Sequence, residues 1–449
     1  MRSVNVLTML LAGGVGERLF PLTTNRCKPT VPFGGNFRII DFTLMNCVLS
    51  GMRRIHILSQ YHSHSIHRHT MERWNFLSRE MGEFIDMVPP KLREASTHYR
   101  GTADAIYRNI DLLEAYRPDV VLILSGDHVY RADYERLVDT HVQRDADITV
   151  LTGETDPSEA SSFGVVNIGE DGRIVQFVEK PANPLPYAVN GRNLINLGVY
   201  CFETKFLVQQ LVADAKQKTA HDFGKNILPG ALDRGRVLAC PLEVISPDGN
   251  PYWRDVGTID SYFETSMDLV RTPASFELKD PRWSSDSRLK EWAPARLSAR
   301  ACIQGEWVVG RNLIASGVET DDAHVVNSIL SPEVRVGQDA ELEECVVFPG
   351  VTIGPGAKIR HAIIEEGVEV PAGLRIGFGG DESRFLMSAG GVTVISKGAV
   401  FGGEIVVETE REEETKAPVE ETHAAGIPAK GKAGRRTATQ RTGGKAIEV

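Results

Sequence analysis

No apolar run in this chain of 449 residues is long enough to cross a bilayer, so no membrane partner is expected. Paired cysteine spacing is missing too. The six cysteines (Cys27, Cys47, Cys201, Cys240, Cys302 and Cys345) are scattered, which argues against a disulfide framework or a zinc knuckle and fits a reducing, cytoplasmic setting. Positive charge is not in excess. The net charge is −10, so the field of the whole protein does not favour nucleic acid, and an anionic substrate needs a local basic cluster. The N-terminal "MRSVNVLTMLLAGG" carries one arginine and a short apolar run. That run flows straight into a glycine loop, so it reads as a buried strand rather than a signal peptide.

What is present is an alternation. Residues 4 to about 270 alternate apolar runs ("VNVLTMLLA", "RIHILSQY", "DVVLILSGD", "ITVLTGE") with helical patterns ("IIDFTLMNCVLSGM", and "TADAIYRNIDLLEAY" with Thr102 as its N-cap). This predicts an α/β domain with a largely parallel sheet and helices on both faces. "FGVVNIGEDGRIVQFVEK" reads instead as a hairpin around "EDGR", so the sheet is expected to be mixed. Residues 272–300, rich in proline, serine and charge, read as a linker between the α/β domain (1–271) and a third region (301–407). In that region three copies, starting at Asn327, Glu344 and His361, are offset by 17 residues. Their aliphatics recur in steps of five or six: Leu330, Val336, Leu342, Val347, Ile353, Ile359, Ile364, Val370 and Ile376. This hexapeptide pattern predicts a parallel β-helix with aliphatics inward. Residues 408–449 are low in complexity, with almost no aromatics, and are expected to form a disordered tail.

Two common phosphate-binding signatures are absent from the loop after the first strand. Gly14-Val15-Gly16 is followed by Glu17-Arg18, so there is no Walker A lysine, and Leu19 stands where a dinucleotide fingerprint needs glycine. What remains is Gly13-Gly14-x-Gly16-x-Arg18-Leu19, then "PLT", then Lys28-Pro29. The glycines let backbone N–H groups approach a polyphosphate, Arg18 can grip two phosphate oxygens, and Lys28 supplies a point charge. Asp127 in "LSGDHVY" lies just past a buried strand, where open α/β sheets place ligands. A carboxylate facing a polyphosphate needs a cation between them. Asp255 in "PYWRDVGT" sits at a second loop–helix junction; alone it reads better as a helix cap or a partner of Arg254, but beside the loop it reads with Asp127 as a ligand of Mg²⁺. "QYHSHSIHRH" clusters His62, His64, His67 and His69 without an adjacent acid or cysteine, and reads as a polar helix start rather than a zinc site.

"GGVGERLFPLT", "KPTVPFGGNFRIIDF", "YRGTADA", "SGDHVY", "FVEKPANP", "HDFGKNILP" and "YWRDVGT" together resemble the bacterial glucose-1-phosphate adenylyltransferases, the ADP-glucose pyrophosphorylases, from about Val4 to Gly377. The resemblance implies a Rossmann-like mixed-sheet nucleotidyltransferase domain and a left-handed parallel β-helix. It implies ATP and α-D-glucose 1-phosphate as substrates, giving ADP-glucose and pyrophosphate for glycogen synthesis. It places Tyr99, Gly101 and Thr102 at the nucleotide. It places Gly164, Glu179, Lys180 and Asn196 at the sugar phosphate. It also implies a homotetramer governed by anionic metabolite effectors at Arg26 and Arg38. Departures are Asn25 and Pro32, where enteric relatives have an activator-contacting lysine and a histidine, and Asn196 in place of a sugar-site serine. Three alternatives stay open: use of UTP or GTP; a non-catalytic regulatory subunit of the same fold; and a uridylyltransferase–acetyltransferase, although His324 and His361 have no obvious partner in the sequence.

Overall fold

The computed structural model describes residues 4–90, 98–243, 251–270, 295–297, 312–378, 384–399 and 401. The expected tail lies outside the described residues, as does the expected linker except for 295–297.

The N-terminal apolar run is the strand Val6–Ala12, in the middle of a nine-stranded sheet. It pairs in parallel with Arg54–Ser59 on one side and Val120–Ser125 on the other. Both of its faces are buried, which is why the run reads as continuously apolar. Leu7 and Met9 face one core, with Ile106, Leu207 and Leu211. Leu10 faces the other, with Phe42, Tyr134 and Phe263.

The sheet is mixed, as the hairpin signal predicts. Strands Gly164–Ile168 and Ile174–Glu179 pair antiparallel, and the long strand Asn193–Glu203 runs antiparallel to Val120–Ser125 and to Ile148–Thr155. A register shift between Asn196 and Tyr200 interrupts the last pairing. Helix Ile39–Leu49 is started by Asp41, whose carboxylate accepts from Arg38 N at 2.8 Å. It ends at Gly51, which takes a φ of 72° as a left-handed stop.

Two local readings are corrected. "TADAIYRNIDLLEAY" forms two helices, Thr102–Tyr107 and Ile110–Tyr116, not one. Thr102 is the first helical residue rather than the cap, and its hydroxyl is spent on Asp222 and Phe223 instead.

The second region is a parallel β-helix. One face stacks Glu319–Thr320, Arg335–Val336, Thr352–Ile353 and Glu369–Val370. Another stacks Ile329–Leu330 on Val346–Val347, and those on Ile363–Ile364. All nine aliphatics picked out by the repeat are buried. The corners repeat with the same period: Asn327, Glu344 and His361 take φ values of 49°, 51° and 53°. Asp322, Asp339, Gly356 and Gly373 do the same at 46°, 56°, 66° and 71°. Arg296–Leu297, inside the segment read as linker, pairs with Glu319–Thr320.

The β-helix packs on the core of the α/β domain. Phe348, Val346 and Ile363 belong to the same buried cluster as Tyr262 and Phe263. His361 meets the ring of Phe263 at 4.5 Å and has Glu344 as a partner at 3.2 Å, a pairing the sequence did not suggest. Asp260 accepts from Ser388 Oγ and from Gly390 N.

Candidate active site

The glycine loop leaves the end of Val6–Ala12 and returns against Lys28. Gly16 has φ 75°, and a Cβ there would lie 3.0 Å from Lys28 Cβ and 3.0 Å from Thr23 Cγ2. A side chain at this position would therefore be strained and crowded at once. Gly13 packs on Gln60, while Gly14 has open space beside it. Arg18 sits on the short 3₁₀ turn Glu17–Leu19 and is exposed.

Lys28 and the two candidate metal carboxylates meet at one point. Lys28 Nζ lies 2.9 Å from Asp127 Oδ2 and 3.1 Å from Asp255 Oδ1. A two-stranded ribbon makes the meeting possible: His128–Tyr130 pairs antiparallel with Trp253–Asp255, and Asp255 stands opposite His128. Burial alone would raise the Asp127 carboxyl, but the Lys28 ammonium, His128 and the Ser125 hydroxyl outweigh it and hold it well below the usual carboxylate range. Burial likewise works against a charged Lys28, and Asp127 and Asp255 more than offset it, raising its pKa. Asp255 is neither a helix cap nor a partner of Arg254: Thr258 caps the next helix, and Arg254 pairs with Asp268. Arg18 reaches this point as well. A Cβ on Gly257 would stand 3.0 Å from Arg18 Nη2 and 3.1 Å from Asp255 Oδ2.

The other candidates are each fixed by contacts of their own. Tyr99 N donates to Gln60 Oε1 at 2.6 Å, and Tyr99 OH accepts from Asn109. Gly101 lies so close to the 220–221 backbone that a Cβ would stand 2.3 Å from Ala220 O. The carbonyl of His221 accepts from Ala103 N at 2.8 Å, and Phe223 N donates to Thr102 Oγ1 at 3.0 Å. Two glycines make room for Glu179. A Cβ on Gly224 would meet its Oε2 at 2.5 Å, and one on Gly164 at 2.8 Å. Burial and the charge of Asp222 raise the Glu179 carboxyl. Lys180 is exposed, with φ 47°. The amide of Asn196 is engaged within its own strand, accepting from Gly198 N and donating to Tyr200 OH.

Arg26 and Arg38 are not in this centre. Arg26 is buried against the β-helix, 2.9 Å from Glu366 and 3.9 Å from Glu365. Arg38 donates to Thr30 O, and burial with the nearby Arg26 lowers its pKa. Among the described residues no group of three or more His, Cys, Asp or Glu is placed to hold a metal. Of the histidine run, His69 is buried and paired with Asp41 at 2.6 Å, where Trp74 also donates. Sequence reasoning missed Asp41. It missed His128 and Trp253 as well, whose rings pack at 4.8 Å beside Asp127, and Gln60. Only the alternation "SGDHVY" and "YWRD" on facing strands would have suggested the ring pair.

A family model described as Nucleotidyl transferase matches residues 7–272, and one described as GlmU-like, C-terminal hexapeptide matches residues 293–395. Glucose-1-phosphate adenylyltransferase 2 of Alkalilimnicola ehrlichii is 42% identical over 350 residues, covering 74% of this chain and 83% of the relative. The chain belongs to the glucose-1-phosphate adenylyltransferase family. Its nucleotidyl transferase domain contains the Lys28–Asp127–Asp255 centre. The glucose-1-phosphate adenylyltransferase of Nitrosospira multiformis is 40% identical over 361 residues, with 75% of this chain and 84% of the relative covered. That of Rhodopirellula baltica is 41% identical over 358 residues, with 75% and 80% covered. Among the described residues, no helix is long and apolar enough to cross a membrane.

Proposed function

We propose that the chain transfers the adenylyl group of ATP to α-D-glucose 1-phosphate, giving ADP-glucose and pyrophosphate. The observation that carries this reading is the convergence of Lys28, Asp127 and Asp255 beside Arg18 and the glycine loop. The attacking group is a phosphate oxygen, anionic at neutral pH, so the protein needs no nucleophile of its own. Its task is to hold two anions in line and neutralise charge. The glycine loop and Arg18 take the nucleotide phosphates, with Lys28 between them and the carboxylates. Tyr99, Gly101 and Thr102 form the wall on the base side. Gly164, Glu179, Lys180 and Asn196 take the sugar phosphate, Glu179 accepting from hydroxyls and Lys180 facing the phosphate.

The residues fit a divalent cation. Asp127 and Asp255 already converge on one positive charge, the Lys28 ammonium, through hard oxygen donors. Two carboxylates do not complete an octahedron, which suits Mg²⁺ that takes its remaining ligands from water and substrate phosphates. Bound there, Mg²⁺ would stabilise the charge that develops on the phosphorus and on pyrophosphate.

The reading extends to a cytoplasmic homotetramer with anionic effectors near Arg26 and Arg38, and to domains bounded near 271 and 407, the boundary expected at 301 moving back to take in the Arg296–Leu297 strand. A pyrophosphate-release assay with glucose 1-phosphate and each of ATP, UTP, GTP and CTP tests the core of it. Release with ATP above the others is expected. Release with UTP or GTP alone would move the substrate, and none with any nucleotide would leave a non-catalytic subunit.

A further inference from the structure

Lys28 stands where two different cations are wanted. Its ammonium bridges Asp127 and Asp255 at 2.9 and 3.1 Å, and only 8% of its side chain is exposed. Those are the carboxylates assigned above to the divalent cation. An ion bound to both oxygens and an ammonium bonded to the same oxygens would place two positive charges within a few ångströms, with little water to screen them.

The lysine has somewhere else to go. Its Cβ packs on Gly16, so its stem rises from the floor of the glycine loop. A compact ammonium on a flexible four-carbon stem can trade carboxylate oxygens for phosphate oxygens without moving the backbone. A triphosphate in the loop would offer new partners to the ammonium and new ligands to the metal in one event.

We propose that Lys28 is an internal counter-cation that keeps a divalent cation off Asp127 and Asp255 until a nucleoside triphosphate is seated, so that cation and nucleotide bind as a coupled pair. The proposal rests on the reading above for the identity of the nucleotide. The coupling is reciprocal: the cation favours the nucleotide as much as the nucleotide favours the cation.

The test is Mn²⁺ titration of the full chain by calorimetry, with and without α,β-methylene-ATP, the Mn²⁺ held by the free analogue being measured in a protein-free titration and taken out of the comparison. In the wild type, Mn²⁺ alone binds weakly, and the analogue tightens it by about tenfold or more. In Lys28→Met, Mn²⁺ alone binds about tenfold tighter than in the wild type, and the added effect of the analogue shrinks. Lys28→Gln is read in the same way, so a folding failure of one variant leaves the other; circular dichroism checks both. Mn²⁺ binding alone that is unchanged or weaker in the folded variants overturns the proposal. So does a wild type that binds Mn²⁺ equally with and without the analogue. The readout needs no turnover. A chain that shows this Mn²⁺ pattern yet releases no pyrophosphate would defeat the proposed function and leave the role of Lys28 standing.

Discussion

Arg26 and Glu366, 340 positions apart, meet at 2.9 Å and tie the catalytic domain to the β-helix. The arginine is buried, its side chain 9% exposed, and its guanidinium lies 5.9 Å from the centre of the Phe348 ring. Glu366 is 43% exposed, so the two partners are unequal. Arg26→Ala leaves the buried Glu365 without its cation and is expected to cost about 3 kcal/mol in urea unfolding. Glu366→Gln is expected to cost about 1 kcal/mol or less. If Arg26 serves an anionic effector, Glu366→Gln also lowers the half-saturating concentration of the active compound in a panel of sugar phosphates, AMP and orthophosphate. Equal costs for the two variants would contradict this asymmetry.

Asp127→Asn keeps the size of the side chain and removes one carboxylate from the site of the cation. Turnover is expected to fall on the order of 10²–10³-fold. Asp255 still partners Lys28 in that variant, so the melting temperature stays within about 5 °C of the wild type. Steady-state pyrophosphate release and a thermal melt measure the two quantities. Near-normal activity would remove Asp127 from the chemistry.

Gly101 is needed for space, since its φ of −174° is ordinary extended backbone. In Gly101→Ala the new methyl group meets the carbonyl oxygens of Ala220 at 2.3 Å and His221 at 2.4 Å. Neither is a flexible side-chain tip, so the 99–102 loop must shift. KM for ATP is expected to rise by about tenfold or more, with a smaller change for glucose 1-phosphate. An unchanged KM for ATP would take this loop out of the nucleotide site.

His141 makes the fold sensitive to acid. Burial pushes its imidazole down from 6.5 to about 4, against the pull of Asp147 and Asp145. Between those values the unfolded chain carries a proton that the folded chain does not. Stability therefore falls as the pH drops from 6.5 to 4 and loses no more to this group below that. The contribution is on the order of 3 kcal/mol. His141→Gln should flatten the slope of unfolding free energy in this window by up to one proton, measured against the wild type in the same buffers.

The elements that were legible in the sequence are those whose pattern is local. The 17-residue period predicted all nine inward aliphatics of the β-helix, and the glycine loop announced a phosphate site within a few residues. Contacts made through the fold were not legible. The motif shows Lys28 as a cation beside the glycine loop but not its carboxylate partners, which lie 99 and 227 positions away and are brought in by a ribbon of two three-residue strands. Thr102 had the right chemistry for a cap, but Asp222 and Phe223 claim its hydroxyl from across the chain. His69 looked unpartnered because Asp41 stands 28 residues earlier, on another helix.

The corner residues of the β-helix set a rule about length. Between Asn327 and Glu366, where Asn327, Glu344 and His361 recur in one conformation at a fixed interval, chain can be taken out only in whole coils; beyond that stretch the spacing does change, Ile364 pairing with Ile395, 31 positions on. A deletion of 17 residues would leave every remaining corner and aliphatic in a fitting place, whereas one of ten would turn cores into corners. The domain would survive the first cut, but its attachment would not. Each coil is about 4.8 Å tall, so everything beyond the cut would drop by that step. Glu366 would slide past Arg26, and a sound β-helix would be docked one storey too low.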